Sequence, residues 1–239
     1  MKRIRADQLL VQKGLVSSRE KAQRLILAGG VLSPGGVVKK PGALFPEEVV
    51  FTIKEKEPFV SRGGSKLAPA LDEFDIQVQG KVCLDVGAST GGFTDCLLQR
   101  GACRVYAVDV GHGQLDIRLR EDPRVVVMEK TNARYLKNLP ELIDLAVIDV
   151  SFISLTKILP VVVPLLVQKG ELIVLVKPQF ELSAPEVKKG VVREDVLRKK
   201  AVLKIRQTAE RMNLGVSGES ESKLAGPKGN REVFLLLHI

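Results

Sequence analysis

Two ionisable residues each close an apolar run in the second half of the chain. Ile143-Asp144-Leu145-Ala146-Val147-Ile148 leads into Asp149, and Leu172-Ile173-Val174-Leu175-Val176 leads into Lys177. Short apolar runs bounded by turn residues read as buried strands. If the two strands are neighbours, their ends meet. A lysine closing a fully buried strand is costly unless it is paired, so the pair is either a structural ion pair or a reactive amine held by a carboxylate. Glu232 opens the last apolar run, and Lys66 follows Ser65 at the start of an amphipathic segment. Read as the first turn of a helix capped by Ser65, that segment places Lys66 against the helix dipole. A residue set against local preference is a candidate functional residue as well as a candidate surface lysine. Lys66, Asp149, Lys177 and Glu232 would then face one pocket, where a poised amine could deprotonate or polarise a hydroxyl.

A second cluster surrounds Leu84-Asp85-Val86-Gly87-Ala88-Ser89-Thr90-Gly91-Gly92-Phe93-Thr94. An apolar run breaks into a Gly-rich turn that opens an amphipathic run, which is the order strand, loop, helix. Gly87, Gly91 and Gly92 let the backbone of Ala88, Ser89 and Phe93 approach a ligand. Gly87 and Gly92 occupy two positions of the dinucleotide fingerprint, while Ser89 takes the middle one. Asp85 ends the strand and Asp109 ends the next apolar run, 24 residues on. That offset suits an acidic side chain gripping ribose hydroxyls, with Val110 beside it. A carboxylate at Asp85 would repel a pyrophosphate but suits a cofactor with a cationic amino-acid part and a ribose. S-adenosylmethionine has both. Asn132, just past the next strand, is either a contact to an adenine edge or a loop cap.

The residues after Asp149 bear on which atom is methylated. Amine methyltransferases commonly carry an Asn/Asp-Pro-Pro-aromatic turn there, where this chain reads Asp149-Val150-Ser151-Phe152. Carbon-five pyrimidine enzymes need a nucleophilic cysteine nearby, and Cys83, Cys96 and Cys103 all lie far away in sequence. A ribose hydroxyl fits better. With only His112 and His238, and no metal spacing among the cysteines, neither a zinc site nor a Ser-His triad is expected. Reduced, unpaired cysteines and an N-terminus without an apolar leader point to the cytoplasm. No apolar run approaches the ~18 residues of a membrane span.

The elements that must position these groups alternate. Strands at Val82–Val86, Arg104–Asp109, Arg124–Met128, Leu145–Asp149 and Glu171–Val176 are separated by helical stretches at Phe93–Gln99, Gln114–Arg120 and Ser154–Val167. The last of these is disturbed by Pro160 and Pro164. A long helix, Arg193–Met212, precedes two final strands, Val216–Ser222 and Glu232–Ile239, joined as a hairpin through Gly226-Pro227-Lys228-Gly229-Asn230. Such alternation implies a doubly wound, mostly parallel sheet. Before it, residues 1–40 hold nine Lys and Arg against Asp7 and Glu20, a surplus of seven out of a net +9. Positive charge concentrated in a small module is the footprint of a nucleic-acid binder. The module reads as two helices, Arg5–Val11 and Arg19–Ala28, the second capped from Ser17-Ser18. A hairpin at Val31-Leu32 and Val37-Val38 and a strand at Val49–Ile53 follow. The charged segment Lys54-Glu55-Lys56-Glu57-Pro58 reads as a linker. The expected division is therefore 1–57 and 58–239.

The order Arg5-Ala6-Asp7-Gln8-Leu9-Leu10-Val11, Gly14-Leu15, Ser18-Arg19-Glu20-Lys21-Ala22 and Leu25-Ile26 with Ala28-Gly29 resembles the RNA-binding module of the ribosomal protein S4 type. It departs from that family at Ser33-Pro34-Gly35-Gly36. The resemblance makes Arg3, Arg5, Arg19, Lys21 and Arg24 the candidate RNA contacts. The larger part resembles the FtsJ-like ribose methyltransferases, whose Lys-Asp-Lys-Glu tetrad falls on Lys66, Asp149, Lys177 and Glu232. The whole chain is similar to the TlyA (hemolysin A-like) family, in blocks such as Ser61–Leu67, Gly87–Thr94, Asp109–Leu115, Lys130–Arg134, Asp149–Leu155 and Val176–Glu181. This implies a Rossmann-like class I methyltransferase domain with a seven-stranded sheet behind a small α+β RNA-binding domain. It implies cytidine 2′-O-methylation of ribosomal RNA with S-adenosylmethionine. Lys177 would activate the hydroxyl, Asp149 would set its charge and orientation, and Lys66 and Glu232 would position ribose and lysine. Family members acting on the small subunit as well tend to have longer ends. This chain stops at Ile239, so the large subunit is the expected partner. A non-catalytic assembly factor and a membrane-active hemolysin are the alternatives, and the oligomeric state is not legible.

Overall fold

The computed structural model describes residues 3–54, 58–226 and 228–239. Residues 55–57 of the expected linker and Pro227 of the expected final hairpin turn lie outside the described residues. By contacts the chain separates into two compact units, Met1–Glu57 and Pro58–Ile239.

The first unit runs β1 (Arg3–Arg5), α1 (Ala6–Gln12), α2 (Arg19–Leu27), β2 (Val31–Ser33), β3 (Gly36–Val37), β4 (Leu44–Pro46) and β5 (Thr52–Ile53). Gly14 at φ +69° and Gly29 at φ +70° follow the helices in the left-handed region, where a side chain would be strained. Ser18 caps α2, its Oγ accepting from the Lys21 N–H at 3.3 Å. Leu9, Leu10, Ala22, Ile26, Val31 and Phe51 form the core between the helices and two small sheets. One sheet pairs β1 with β4 and the other orders β3-β2-β5, all antiparallel. The expected strand at Val49–Ile53 shrinks to its last two residues. β1 and β4 were not expected, since three-residue strands leave no readable alternation.

The second unit opens with α3 (Arg62–Glu73), β6 (Val82–Val86), α4 (Gly92–Gln99), β7 (Arg104–Val108), α5 (Ile117–Arg120) and β8 (Val125–Met128). It continues with β9 (Ile143–Ile148), α6 (Leu159–Val162), β10 (Leu166–Val176), α7 (Pro178–Glu181), α8 (Asp195–Arg211), β11 (Gly215–Glu221) and β12 (Val233–His238). These strands form one seven-stranded sheet ordered β11-β12-β10-β9-β6-β7-β8. β10, β9, β6, β7 and β8 pair in parallel, and β12 runs antiparallel to both its neighbours. Strands buried on both faces must be apolar throughout. The central parts of β6, β9 and β10 follow this, with Leu84, Ile148, Leu172 and Val174 on one face and Cys83, Val147, Ile173 and Leu175 on the other, and the buried Asp85 of β6 is the exception.

Three helical expectations are corrected. α3 starts at Arg62 under a Ser61 cap, whose Oγ accepts from the Gly63 N–H at 3.3 Å, and not under Ser65. Lys66 therefore sits in the second turn, and the argument from the helix dipole does not apply to it. Glycines inside a helix hide its start, yet they are needed here. A Cβ on Gly64 would lie 2.2 Å from Phe59, and one on Gly92 would lie 2.8 Å from the Gly64 nitrogen, where α3 and α4 approach. The stretch Gln114–Arg120 is helical only from Ile117, after an Asp116 cap. Ser154–Val167 breaks into two 3-10 turns around α6, because Pro160 and Pro164 lack the N–H groups a continuous helix needs.

Candidate active site

Three cavities open beyond the C-terminal ends of β6, β7, β9 and β10, the edge at which open α/β sheets bind ligands. The first, about 380 Å³, is lined by Gly87, Ser89, Asp109, Val110, Asn132 and Asp149, among others. The second, about 310 Å³, is lined by Ser61, Arg62, Lys66, Asp149, Ser151 and Lys177, and by the turn from Gly87 to Thr90. The third, about 330 Å³, is lined by Ser151, Phe152, Lys177, Gln179, Phe180 and Glu232, with Lys228 and Asn230 at its side.

Asp149 and Lys177 meet as expected from neighbouring strands. β9 and β10 run parallel in register, Ile148 beside Val174, so the next residues past each strand converge. Lys177 Nζ forms an ion pair with Asp149 Oδ1. The same nitrogen donates to Ser151 Oγ at 3.0 Å. Lys66 Nζ donates to Glu232 Oε2 at 2.6 Å, and the Glu232 carboxylate is fully buried. Its other oxygen has no hydrogen-bond partner among the described residues. The four residues are thus two ion pairs bordering connected cavities. Lys66, Asp149 and Lys177 share one cavity, and Lys177 and Glu232 share another.

The Gly-rich turn lies at the mouth between the first two cavities. Gly87 has φ +91°, and a Cβ there would stand 2.4 Å from the Asp149 carbonyl oxygen. Only glycine allows β6 and β9 to end so close together. Ser89 also holds a positive φ, +49°, which turns its N–H onto Asp109. Asp109 Oδ2 accepts that N–H at 2.8 Å, and Oδ1 accepts the Gly111 N–H at 2.7 Å. The carboxylate is fixed by these two N–H groups, and the residue lines the first cavity. Asn132 is the loop cap, one of the two roles the sequence left open. Its Oδ1 caps the 3-10 turn after β8 by accepting from the Arg134 N–H at 3.1 Å, and the residue lines the cavity.

Ala88 and Phe93 line the second cavity with the turn. Asp85 and Gly91 line none of the three. Asp85 is fully buried, and its Oδ2 accepts from the Thr94 hydroxyl at 2.7 Å. Burial pushes its carboxyl up to about 7; the Thr94 hydrogen bond opposes this, and the Asp149 and Asp109 charges add to it. Through Oδ2 the side chain ties the end of β6 to the first turn of α4, while Oδ1 has no hydrogen-bond partner among the described residues. Gly91 serves as the left-handed N-cap of α4.

Sequence reasoning places Ser151, Phe152, Gln179, Phe180 and Glu181 within its motif blocks but gives none of them a role in the site. Phe152 is 91% exposed and has φ +62°, a conformation costing about 1–2 kcal/mol for a bulky side chain. Its ring lies 5.1 Å from that of Phe180. Glu181 anchors the loop behind it. The carboxylate is buried, accepts from the Leu155 N–H at 2.7 Å and the Ser154 hydroxyl, and pairs with Lys204 of α8. The signal available was an exposed aromatic after a strand end, but nothing in a sequence marks it as exposed.

In the first unit, Asp7 gathers the candidate RNA contacts unevenly. Arg5 donates to both its oxygens at 2.9 Å, Arg19 Nε at 3.0 Å and Gln23 at 2.9 Å. The Arg5 guanidinium holds this buried carboxyl well below the usual carboxylate range, aided by Gln23 and Arg19. Arg3, Lys21 and Arg24 are exposed. Among the described residues no group of three or more His, Cys, Asp and Glu could hold a metal ion. No helix among them is long and apolar enough to cross a membrane.

The sequence model of the FtsJ-like methyltransferase family matches residues 59–238, and that of the S4 domain matches residues 4–48. The chain is 46% identical to the 16S/23S rRNA (cytidine-2′-O)-methyltransferase TlyA of Mycobacterium tuberculosis, over 99% of this chain and 90% of that protein. The chain belongs to the TlyA branch of the FtsJ-like methyltransferases. A second relative of this branch, the 23S rRNA (cytidine-2′-O)-methyltransferase TlyA of Campylobacter jejuni, is 37% identical over 94% of this chain and 95% of its own. A solved structure from Streptococcus thermophilus, described as a hemolysin, superposes with a TM-score of 0.77 at 41% identity, covering 100% of this chain and 89% of that one. In this FtsJ-like methyltransferase all four residues of the two ion pairs lie inside the matched region.

Proposed function

We propose that this protein transfers a methyl group from S-adenosylmethionine to the 2′-hydroxyl of a cytidine in ribosomal RNA. The observation that carries the reading is the Lys177 amine, held between Asp149 and Ser151 where three cavities adjoin. S-adenosylmethionine, when bound, supplies a methyl group on a sulfonium that leaves without acid assistance. The first cavity fits that molecule. Asp109 presents fixed carboxylate lone pairs to ribose hydroxyls, Asn132 and the apolar Val110, Ile153 and Ile158 surround a flat base, and the Gly87 turn leaves room for the amino-acid end.

The chain's own groups then act on the RNA ribose. Lys177 takes the 2′-hydroxyl proton, which raises the nucleophilicity of that oxygen. Asp149 keeps the amine in place and balances its charge. Lys66 and Glu232 hold the ribose from the other side, the unpartnered Glu232 oxygen serving as an acceptor for a sugar hydroxyl. Holding both reactants in one geometry supplies most of the rate gain. The third cavity, walled by Phe152 and Phe180, suits a planar base lifted out of its stack. Residues 1–57 form the RNA-docking domain and 58–239 the catalytic one. Exposed Arg3, Lys21 and Arg24 serve as phosphate contacts, and Arg5 and Arg19 shape that surface through Asp7.

Both named relatives act on 23S RNA, and one acts on 16S RNA as well. The large subunit is their shared substrate and the one we assign here. The test is transfer of label from S-adenosylmethionine to separated large and small subunits and to naked RNA, all lacking the modification. Label on large-subunit RNA is expected. RNA bound without label would instead favour a non-catalytic assembly factor.

A further inference from the structure

We propose that Ser151 is a positioning residue that aims the Lys177 amine, an inference that rests on the reading of Lys177 as the proton acceptor. Among the described residues, Ser151 is the one shared by the linings of all three cavities. It stands where cofactor, ribose and base would meet. Its side chain is on an exposed residue, so burial does not require its hydroxyl to be paired. Even so, that hydroxyl accepts from Lys177 Nζ at 3.0 Å, its one hydrogen bond among the described residues.

The valence of nitrogen explains what this achieves. A neutral amine has two N–H donors and one lone pair, and a protonated one has three N–H donors. Asp149 and Ser151 lie two residues apart past the end of β9, and both face Lys177 Nζ. The Asp149 carboxylate, an ion-pair partner without hydrogen-bond geometry, and the Ser151 hydroxyl, which accepts a hydrogen bond, occupy two of the three directions around the nitrogen. The third, lone pair or proton, is left for the open side, where Lys177 borders the second and third cavities. With Asp149 alone, the amine could rotate about its Cε–Nζ bond and present an N–H to the substrate oxygen instead. A second acceptor fixes that rotation.

The loop geometry keeps the hydroxyl in place. Immediately after Ser151 the chain takes the strained φ of +62° at Phe152. Two residues further on, Glu181 clamps Ser154 and the Leu155 N–H. Strain held by such a clamp persists only where the surroundings over-determine it.

Steady-state methyl transfer would be compared for the wild type, Ser151→Ala, Ser151→Thr and Lys177→Ala, using large ribosomal subunits that lack the modification. Cofactor affinity would be followed by titration calorimetry. We expect Ser151→Ala to lower kcat by about tenfold, the usual size of a lost hydrogen bond to a charged group. KM for the subunits and cofactor affinity should stay within about twofold, and Ser151→Thr, which keeps the hydroxyl, should recover most of kcat. An unchanged kcat in Ser151→Ala overturns the inference. So does a loss carried by KM or cofactor affinity, or a threonine variant as slow as the alanine one. If Lys177→Ala keeps the wild-type kcat, the reading of Lys177 falls first and takes the inference with it.

Discussion

Replacing Lys177 with alanine removes the amine that faces Asp149 and Ser151; both partners line the first cavity, but Lys177 itself does not. Methyl transfer should fall by about a hundredfold or more. Cofactor affinity measured by calorimetry should hardly change, and a matching loss of affinity would contradict the assigned role. Asp85 offers a pH-dependent test at the same scale. Its carboxyl lies at about 7 in the folded chain and near the ordinary value of about 3.9 when unfolded. Between these values the folded state keeps a proton that the unfolded state has lost. The stability it contributes is therefore fully present below about pH 4 and is lost as pH rises through about 7. Melting temperatures of wild type and Asp85→Asn should diverge in favour of the variant from about pH 5 to about pH 8, and a gap independent of pH would contradict this. Asp149 beside Lys177 was legible, since two apolar runs ending in opposite charges need only be neighbours. The direction of the Asp85 side chain was not, because its partner Thr94 belongs to the next helix and not to the strand that carries it.

The elements bring these residues together through close approaches that tolerate little change. Gly87→Ala would set a Cβ 2.4 Å from the Asp149 carbonyl oxygen at a φ of +91°. Either β6 and β9 separate at their ends or the turn refolds, so cofactor binding should be lost even if the protein still folds. Calorimetry against the purified variant checks this, and wild-type affinity would contradict it. Glu181→Ala acts from the other side of the pocket. It leaves the buried Leu155 N–H without an acceptor and removes the carboxylate paired with Lys204, which keeps its bond to the Glu181 carbonyl oxygen; this should cost about 1–3 kcal/mol. For a domain of this size that is a drop in melting temperature of about 3–10 °C, readable by calorimetric melting. Long apolar strands and the amphipathic α8 were legible because their periodicity is strong. The true start of α3 was hidden by Gly63 and Gly64, which fit only because of Phe59 and α4, neighbours that no local pattern contains. β1 and β4 were hidden by their brevity.

For the whole molecule, the charge distribution and the sheet are separate statements. The surplus of positive charge in residues 1–40 was plain in the sequence; which of those charges are exposed was not. Arg5 and Arg19 are committed to Asp7, Arg19 while itself exposed, and Lys21 and Arg24 also stand in solvent. Joint replacement of Lys21 and Arg24 by alanine should weaken RNA binding and reduce the log–log salt slope by up to about two. Because neither residue lines the catalytic cavities, kcat at saturating RNA should be retained. The central claim is that the methyl group goes to a ribose oxygen, and the most direct measurement is alkaline hydrolysis of RNA labelled by the enzyme. A 2′-O-methyl blocks the neighbouring phosphodiester from cleavage, so the account predicts that the label is recovered in a single alkali-resistant dinucleotide beginning with cytidine. Label recovered in mononucleotides would mean that a base was methylated, and it would contradict the roles given to Lys66, Asp149, Lys177 and Glu232.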